Sequence, residues 1–328
     1  MGSPDGMTWA TAFPNLNTAL SAAQYGDQVW VAAGMYRQPA NADRSSSFIL
    51  KNGVKIYGGF NGSETTLTQR DWENQKTILS GEIGLPGRED NLYHVLYGKG
   101  LDSTTVLDGV SVTGGYSMAP FFDRQFENCG GGILLIGQFE MESKPIIRNC
   151  RIFQNAANFG GGIYISWEDP RFSGSVKGRI NPMISHCIIE YNYAFNDGGG
   201  IFKEGSMLLG DTFALRHCAI SDNRARTNSG GGLSLIEGIN TTLLLDNCRF
   251  ERDSALDGGG CYYEDGVAGG YLIHFLLYKT QFNRNFAIDG GAFYYNGGGP
   301  LPYKGNVRLK TSIDSCTFTS YTCCLTRK

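Results

Sequence analysis

Residues 150–165 read CRIFQNAANFGGGIYI. The order is Cys, an apolar residue two on, Asn at five, Ala at seven, then a glycine run, and it returns down the chain. Cys150 has counterparts in Cys187, Cys218, Cys248, Thr280 and Cys316, so the order recurs every 30 to 37 residues. Ile152, Ile189, Ile220, Phe250, Phe282 and Phe318 follow these by two positions, and Ile147, Ile184, Leu215, Leu245, Leu277 and Ile313 precede them by three. Asn155, Asn192, Asn223, Asp253 and Asn285 fall at five, and Ala157, Ala194, Ala225, Ala255 and Ala287 at seven. Glycine runs start at Gly160, Gly198, Gly230, Gly258 and Gly290, and a weaker copy ends in CGGGILLI at 129–136. A period of this length marks stacked structural units.

Each unit is a set of short β-rich segments with period-2 alternation, separated by Gly and Asn turns. No helical period appears from 140 onward. Strands that return in one direction at every repeat stack as a parallel β-solenoid, with like residues in columns roughly 4.8 Å apart. The predicted fold is all-β, a parallel β-helix of roughly ten rungs. The Ile, Leu and Phe columns fill its interior. Cys150, Cys187, Cys218, Cys248 and Cys316 form an inward column of unpaired small side chains, where a hydroxyl in place of the thiol is expected to be costly. Asn155, Asn192, Asn223 and Asn285 form an amide ladder at a turn.

Composition agrees. Glycine accounts for 46 of 328 residues, about twice the usual share, which suits several sharp corners per turn. Formal net charge is −3, which gives nucleic-acid binding no electrostatic support. No apolar stretch is long enough to span a membrane as a helix. Nine cysteines in a secreted chain would suggest a disulfide framework, but their single column argues for core packing, with Cys323 and Cys324 the best placed to oxidise. No zinc-type CxxC pair exists.

The chain is read as one domain. Residues 1–27 form an N-terminal cap, 28–128 early irregular rungs and 129–328 the regular Cys/Asn/Gly-rich rungs. Pro14 to Gln24 reads as a short helix with Leu16, Ala19, Leu20 and Ala23 on one face, covering the open end of the first rung.

The blocks DGMTWATAF, GDQVWVAAGMY, IYGGFNGSETTLTQRDWENQKTILSGEI and VLDGVSVTGG resemble secreted right-handed parallel β-helix proteins of Gram-negative bacteria. The later rungs, with GGGI or GGAF, are similar to the repeats of polymorphic outer membrane proteins, within the pectate-lyase-like superfamily. The resemblance implies a right-handed β-helix at the cell surface or in the secreted space. It leaves activity open among adhesins, lyases and glycoside hydrolases. No basic-then-apolar leader opens the chain, so we expect a piece of a longer protein with further domains.

Candidate functional residues follow from the same columns. Tyr164, Phe202, Ser234, Tyr262 and Tyr294 come one residue after an inward column, so alternation turns them outward. Exposed rings in a strip would suit sugar faces. The longest insertion, 166–182, adds Trp167, Arg171, Lys177 and Arg179, making a polysaccharide or cell-surface glycan the expected partner. A lyase would need a base and a cation or bound Ca²⁺, and a glycosidase two carboxylates roughly 5–9 Å apart. Asp197, Asp257 and Asp289 share a column, but each precedes glycine and reads as turn chemistry. His186 and His217 share a corner column with Asn149 and Asn247. No catalytic set or cofactor emerges, Ca²⁺ included, so a non-catalytic glycan-binding or stalk module is favoured over a polysaccharide-degrading enzyme.

Overall fold

The computed structural model describes residues 4–84, 87–118, 126–138, 142–167, 179–205, 212–237, 241–265, 272–296, 308–319 and 326–327. Each pass of the chain contributes one strand to each of three sheets. In one pass these strands are Ile146–Arg148, Arg151–Phe153 and Ile163–Ser166; in the next they are Met183–Ser185, Ile188–Glu190 and Ile201–Glu204. Each sheet holds nine strands in chain order, paired in parallel throughout, as in Ile147↔Ile184, Ile152↔Ile189 and Ile163↔Ile201. The fold is a parallel β-helix. A fourth, shorter sheet joins Tyr116–Ser117, Ala156–Phe159, Tyr193–Asp197 and Arg224–Ala225 along the stretch between the asparagine and glycine positions.

Side chains alternate across each strand, so constant register turns each repeated apolar position into a column. Ile147, Ile184, Leu215, Leu245 and Leu277 line one wall, Ile152, Ile189, Ile220, Phe250 and Phe282 the second, and Ile163, Ile201, Leu233, Cys261 and Phe293 the third; all are buried in one continuous core. Phe250, Phe282 and Phe318 stack at centroid distances of 5.0 and 5.3 Å.

The corners turn on a left-handed residue, at the first corner in the column that holds Asn149, His186, His217 and Asn247. One residue in the left-handed region turns the chain from the first sheet to the second: Asn149, His186, His217, Asn247, Lys279 and Ser315, with φ from 47° to 53°. A second such column, Gln154, Tyr191, Asp222, Arg252 and Arg284, ends the second sheet with φ from 53° to 56°. Such a residue costs roughly 1–2 kcal/mol when it is not glycine. Beside these corners stand buried side chains bonded to neighbouring backbone, as Cys187 to Ser185 O at 3.2 Å and Asn192 to Ile152 O at 2.9 Å.

The cap helix spans Leu16–Ala22, shorter at both ends than the sequence suggests. Asn15 caps it by accepting from the Thr18 N–H at 2.8 Å. Leu16, Leu20 and Ala23 belong to the central core. The early rungs are clamped from outside by Asp108. Its fully buried carboxylate accepts from Arg70 and Arg148, both at 2.7 Å, and from the Asn149 amide at 2.9 Å. Arg70 also lies over the Trp72 ring, which holds the segment after Phe60 against the first sheet. Among the described residues, no helix is long and apolar enough to cross a membrane.

Candidate functional site

The aromatic column after the glycine runs does not form an open strip. Tyr164, Phe202, Tyr262 and Tyr294, with Trp167, are between 0% and 6% exposed. They leave the central core yet are buried, Tyr164 and Phe202 in a second cluster with Cys129, Leu134, Ile136 and Phe159. In each rung the first glycine lies against the ring-bearing residue: a Cβ on Gly160 would stand 2.9 Å from the Cβ of Tyr164, and on Gly198 2.6 Å from that of Phe202. Only glycine fits so close an approach. Phe159 completes the cover, 5.9 Å from Phe202, which stacks on Tyr164 at 5.3 Å. Tyr262 and Tyr294 stack at 5.6 Å, and Tyr262 donates to Glu264 at 3.2 Å. These rings form a second, outer layer of packing, and the expectation of exposed stacking surfaces is corrected accordingly. Ser234, where the ring column breaks, is buried with its hydroxyl unpartnered among the described residues. Arg179 is half-buried in a two-residue strand paired with Glu142–Ser143. Arg171 and Lys177 lie outside the described residues, as does most of the 166–182 insertion.

The ladders consume most of the repeated polar groups. Asn155 donates its side-chain amide to Asn192 at 3.1 Å, Asn192 to Asn223 at 3.0 Å, and Asn223 to Asp253 at 3.0 Å. Backbone N–H groups of Asn155, Asn192, Asn223 and Asp253 donate to the same side-chain oxygens of the following rung. Cys150, Cys187, Cys218 and Cys248 are buried, free thiols, and Cys316 is free and half-buried. Their Sγ atoms donate to the carbonyl two residues back, from 3.1 Å at Cys150 to 3.5 Å at Cys248. Thr280 makes the same contact through its hydroxyl, to Tyr278 O at 3.1 Å. The column therefore holds small side chains with a donor, thiol or hydroxyl. Burial and the neighbouring thiols push Cys187 well above the usual thiol range.

The carboxylate and histidine columns do turn work. Asp197 accepts from the Ser229 N–H at 3.0 Å and the Asn228 amide at 3.3 Å. Asp257 pairs with Ser229 and Asp289 through the backbone. His186 and His217 stack at 4.7 Å on the exposed corner, with Asn247 2.7 Å from His217 Nδ1. No three His, Cys, Asp or Glu residues are grouped for a metal among the described residues.

The accessible aromatic surface lies elsewhere, on the fourth sheet. Tyr193, Arg224, Ser254 and Phe286 are in register on successive rungs. Two residues further on, beyond the buried alanine column, stand Phe195, Arg226, Leu256 and Ile288. On the other side, at the left-handed corner, stand Tyr191, Asp222, Arg252 and Arg284. The grid is three columns wide and four rungs tall. Phe286 is 62% exposed, Ile288 70%, Tyr191 54% and Leu256 40%; Tyr193 and Phe195 are half-buried. Arg226 lies 5.5 Å from the Phe195 ring centre. Arg252 is neutralised by Asp222 through two bonds of 2.7 and 2.8 Å. Arg224, Arg226 and Arg284 make no ion pair with the described residues. Sequence reading misses this face because the Tyr-Ala-Phe and Arg-Ala-Arg steps are short and lie between the asparagine and glycine positions, with no alternating run to mark a strand. The buried alanines between exposed residues were the available signal.

Comparison with protein families, curated proteins and solved structures found no match to this chain.

Proposed function

We propose that this chain is an extracellular or cell-surface β-helix module, a non-catalytic stalk with an adhesive, glycan-binding face. The observation that carries this reading is the grid on the fourth sheet, where Tyr191, Tyr193, Phe195 and Phe286 reach solvent around Arg224 and Arg226. Aromatic rings that are open on one side suit the apolar faces of sugars. The rung spacing of roughly 4.8 Å is close to the length of one pyranose in a chain, so an extended glycan lies naturally along the stack. Several weak contacts along one axis add up, as suits adhesion. The location rests on the resemblance of the GGGI and GGAF repeats, as sequence, to those of polymorphic outer membrane proteins.

Incubating the chain with a panel of neutral and acidic polysaccharides tests both parts of the reading. Retention of at least one polysaccharide, with neither new reducing ends nor absorbance from unsaturated sugars, is the expected result. Cleavage of any of them would replace the adhesive module with a lyase or glycoside hydrolase.

A further inference from the structure

We propose that the grid takes an anionic polysaccharide, with Arg224, Arg226 and Arg284 holding its carboxylate or sulfate groups and Tyr193 and Phe286 stacking on its sugar rings. The proposal rests on the glycan reading of this face and adds the charge class. It starts from an imbalance. The chain carries 31 acidic and 28 basic residues, and arginines on the outer surface commonly have partners: Arg151 pairs with Glu190, Arg216 with Asp246, Arg249 with Glu251 and Arg252 with Asp222. Arg224, Arg226 and Arg284 have none among the described residues, and all three are exposed.

Their placement matches a polymer. Tyr193, Arg224, Ser254 and Phe286 follow one another in register, so the two rings are three rungs apart, about 14 Å. That span accommodates about three pyranose units. Arg224 and Arg226 sit on the second rung and Arg284 on the fourth, which places cations two rungs apart. Ser254 is small and leaves room for a sugar between Arg224 and Phe286. A planar guanidinium binds carboxylate or sulfate through two parallel N–H donors. The packing of Arg226 against Phe195 holds one of the three in place. A neutral glycan would leave three cations unused. A nucleic acid would call for a longer basic stripe, whereas Asp222 and Glu251 flank these arginines.

Affinity electrophoresis of the full chain in gels containing dextran sulfate, alginate, unmodified dextran or oligothymidylate distinguishes the possibilities. The parent should be retarded by dextran sulfate or alginate, and the retardation should fall as salt rises. The variant Arg224→Gln/Arg226→Gln/Arg284→Gln should lose about tenfold or more in affinity for the charged glycan. A control with equal charge loss on other faces, Lys55→Gln/Lys76→Gln/Lys279→Gln, should lose less than about threefold. Tyr193→Ala/Phe286→Ala should weaken binding with the arginines intact, and thermal melting checks that each variant is folded. Dextran bound as well as dextran sulfate, with the arginine variant unchanged, would overturn the anionic class and leave the glycan reading standing. Failure to bind any of the three glycans, or tighter binding of oligothymidylate, would overturn both. Retardation by dextran sulfate but not alginate, or the reverse, supports the proposal and identifies the anion.

Discussion

Asp253 occupies a position where Asn155, Asn192, Asn223 and Asn285 all place an amide. One carboxyl oxygen accepts from the N–H and the amide of Asn223, at 2.9 and 3.0 Å. The other is buried without a partner among the described residues, where the other rungs direct an N–H at the carbonyl of the rung before, as Asn223 does to Ile189 and Asn285 to Phe250, both at 2.9 Å. Burial pushes this carboxyl well above the usual carboxylate range, so the folded chain holds a proton that the unfolded chain releases near 3.8. Stability at this site is therefore fully present below that pH and is lost as pH rises toward the raised folded value. Asp253→Asn should stabilise the fold at neutral pH, with a gain over the parent that shrinks as pH falls toward 4. Urea midpoints of both proteins between pH 4 and 8 would show it, and a pH-independent difference would mean that Asp253 is not the titrating group. The thiol column gives a second residue-scale test. Because Thr280 already works in that column, Cys187→Thr should cost less than about 1.5 kcal/mol, whereas Cys187→Leu, which overfills a stacked corner, should cost about 1–3 kcal/mol. Equal losses would mean that the column excludes hydroxyls as strictly as bulk.

The ladders are what make short strands into an element. A strand of three residues such as Ile188–Glu190 is held less by its own pairing than by the turns at each end. Asn192 sits in the middle of the ladder, bonded to the rungs on both sides. Its Oδ1 receives both donors of Asn155 at 3.1 Å, and its amide donates to Ile152 O at 2.9 Å and Asn223 Oδ1 at 3.0 Å. Asn192→Leu should cost about 2 kcal/mol or more, because the Asn155 N–H is left buried without an acceptor. An unchanged denaturation midpoint would refute that. The three core columns and the ladder positions were legible in the sequence because a fixed register turns repetition directly into stacking. The exposure of the aromatics was not. Alternation shows that Tyr164 and Phe202 leave the interior, but only the packing of Phe159, Leu134 and Ile136 around them shows that they are then buried. The fourth sheet was hidden for a related reason: its start is set by a left-handed Tyr191 or Arg284, residue types that carry no turn signal, unlike Asn149 or Gly109.

At the scale of the molecule, each turn touches only its neighbours, so stability is closer to a sum along one axis than to a single cooperative core. The ends then matter more than their size suggests. The first turn presents Val31, Phe48 and Leu50 to one side, and Leu16 and Leu20 of the cap helix, with Ala23 just after it, complete the same core. The next reinforcement along the axis is the Asp108 clamp with Arg70 and Arg148. The first turn has no turn before it, so the cap supplies the apolar cover on that side. Leu16→Ser/Leu20→Ser should therefore fray the N-terminal turns while leaving the regular turns intact. In native-state hydrogen exchange, the amides of Gln28–Ala32 and Phe48–Leu50 should lose protection by about 100-fold or more, equivalent to about 3 kcal/mol of lost burial. Amides of Ile188–Glu190 and Ala219–Ser221 should exchange at the parent rate, since the Asn and Cys ladders hold them from both sides. Equal loss of protection in all four segments would mean that the β-helix opens as one unit, and that its columns act cooperatively over the whole length of the stack.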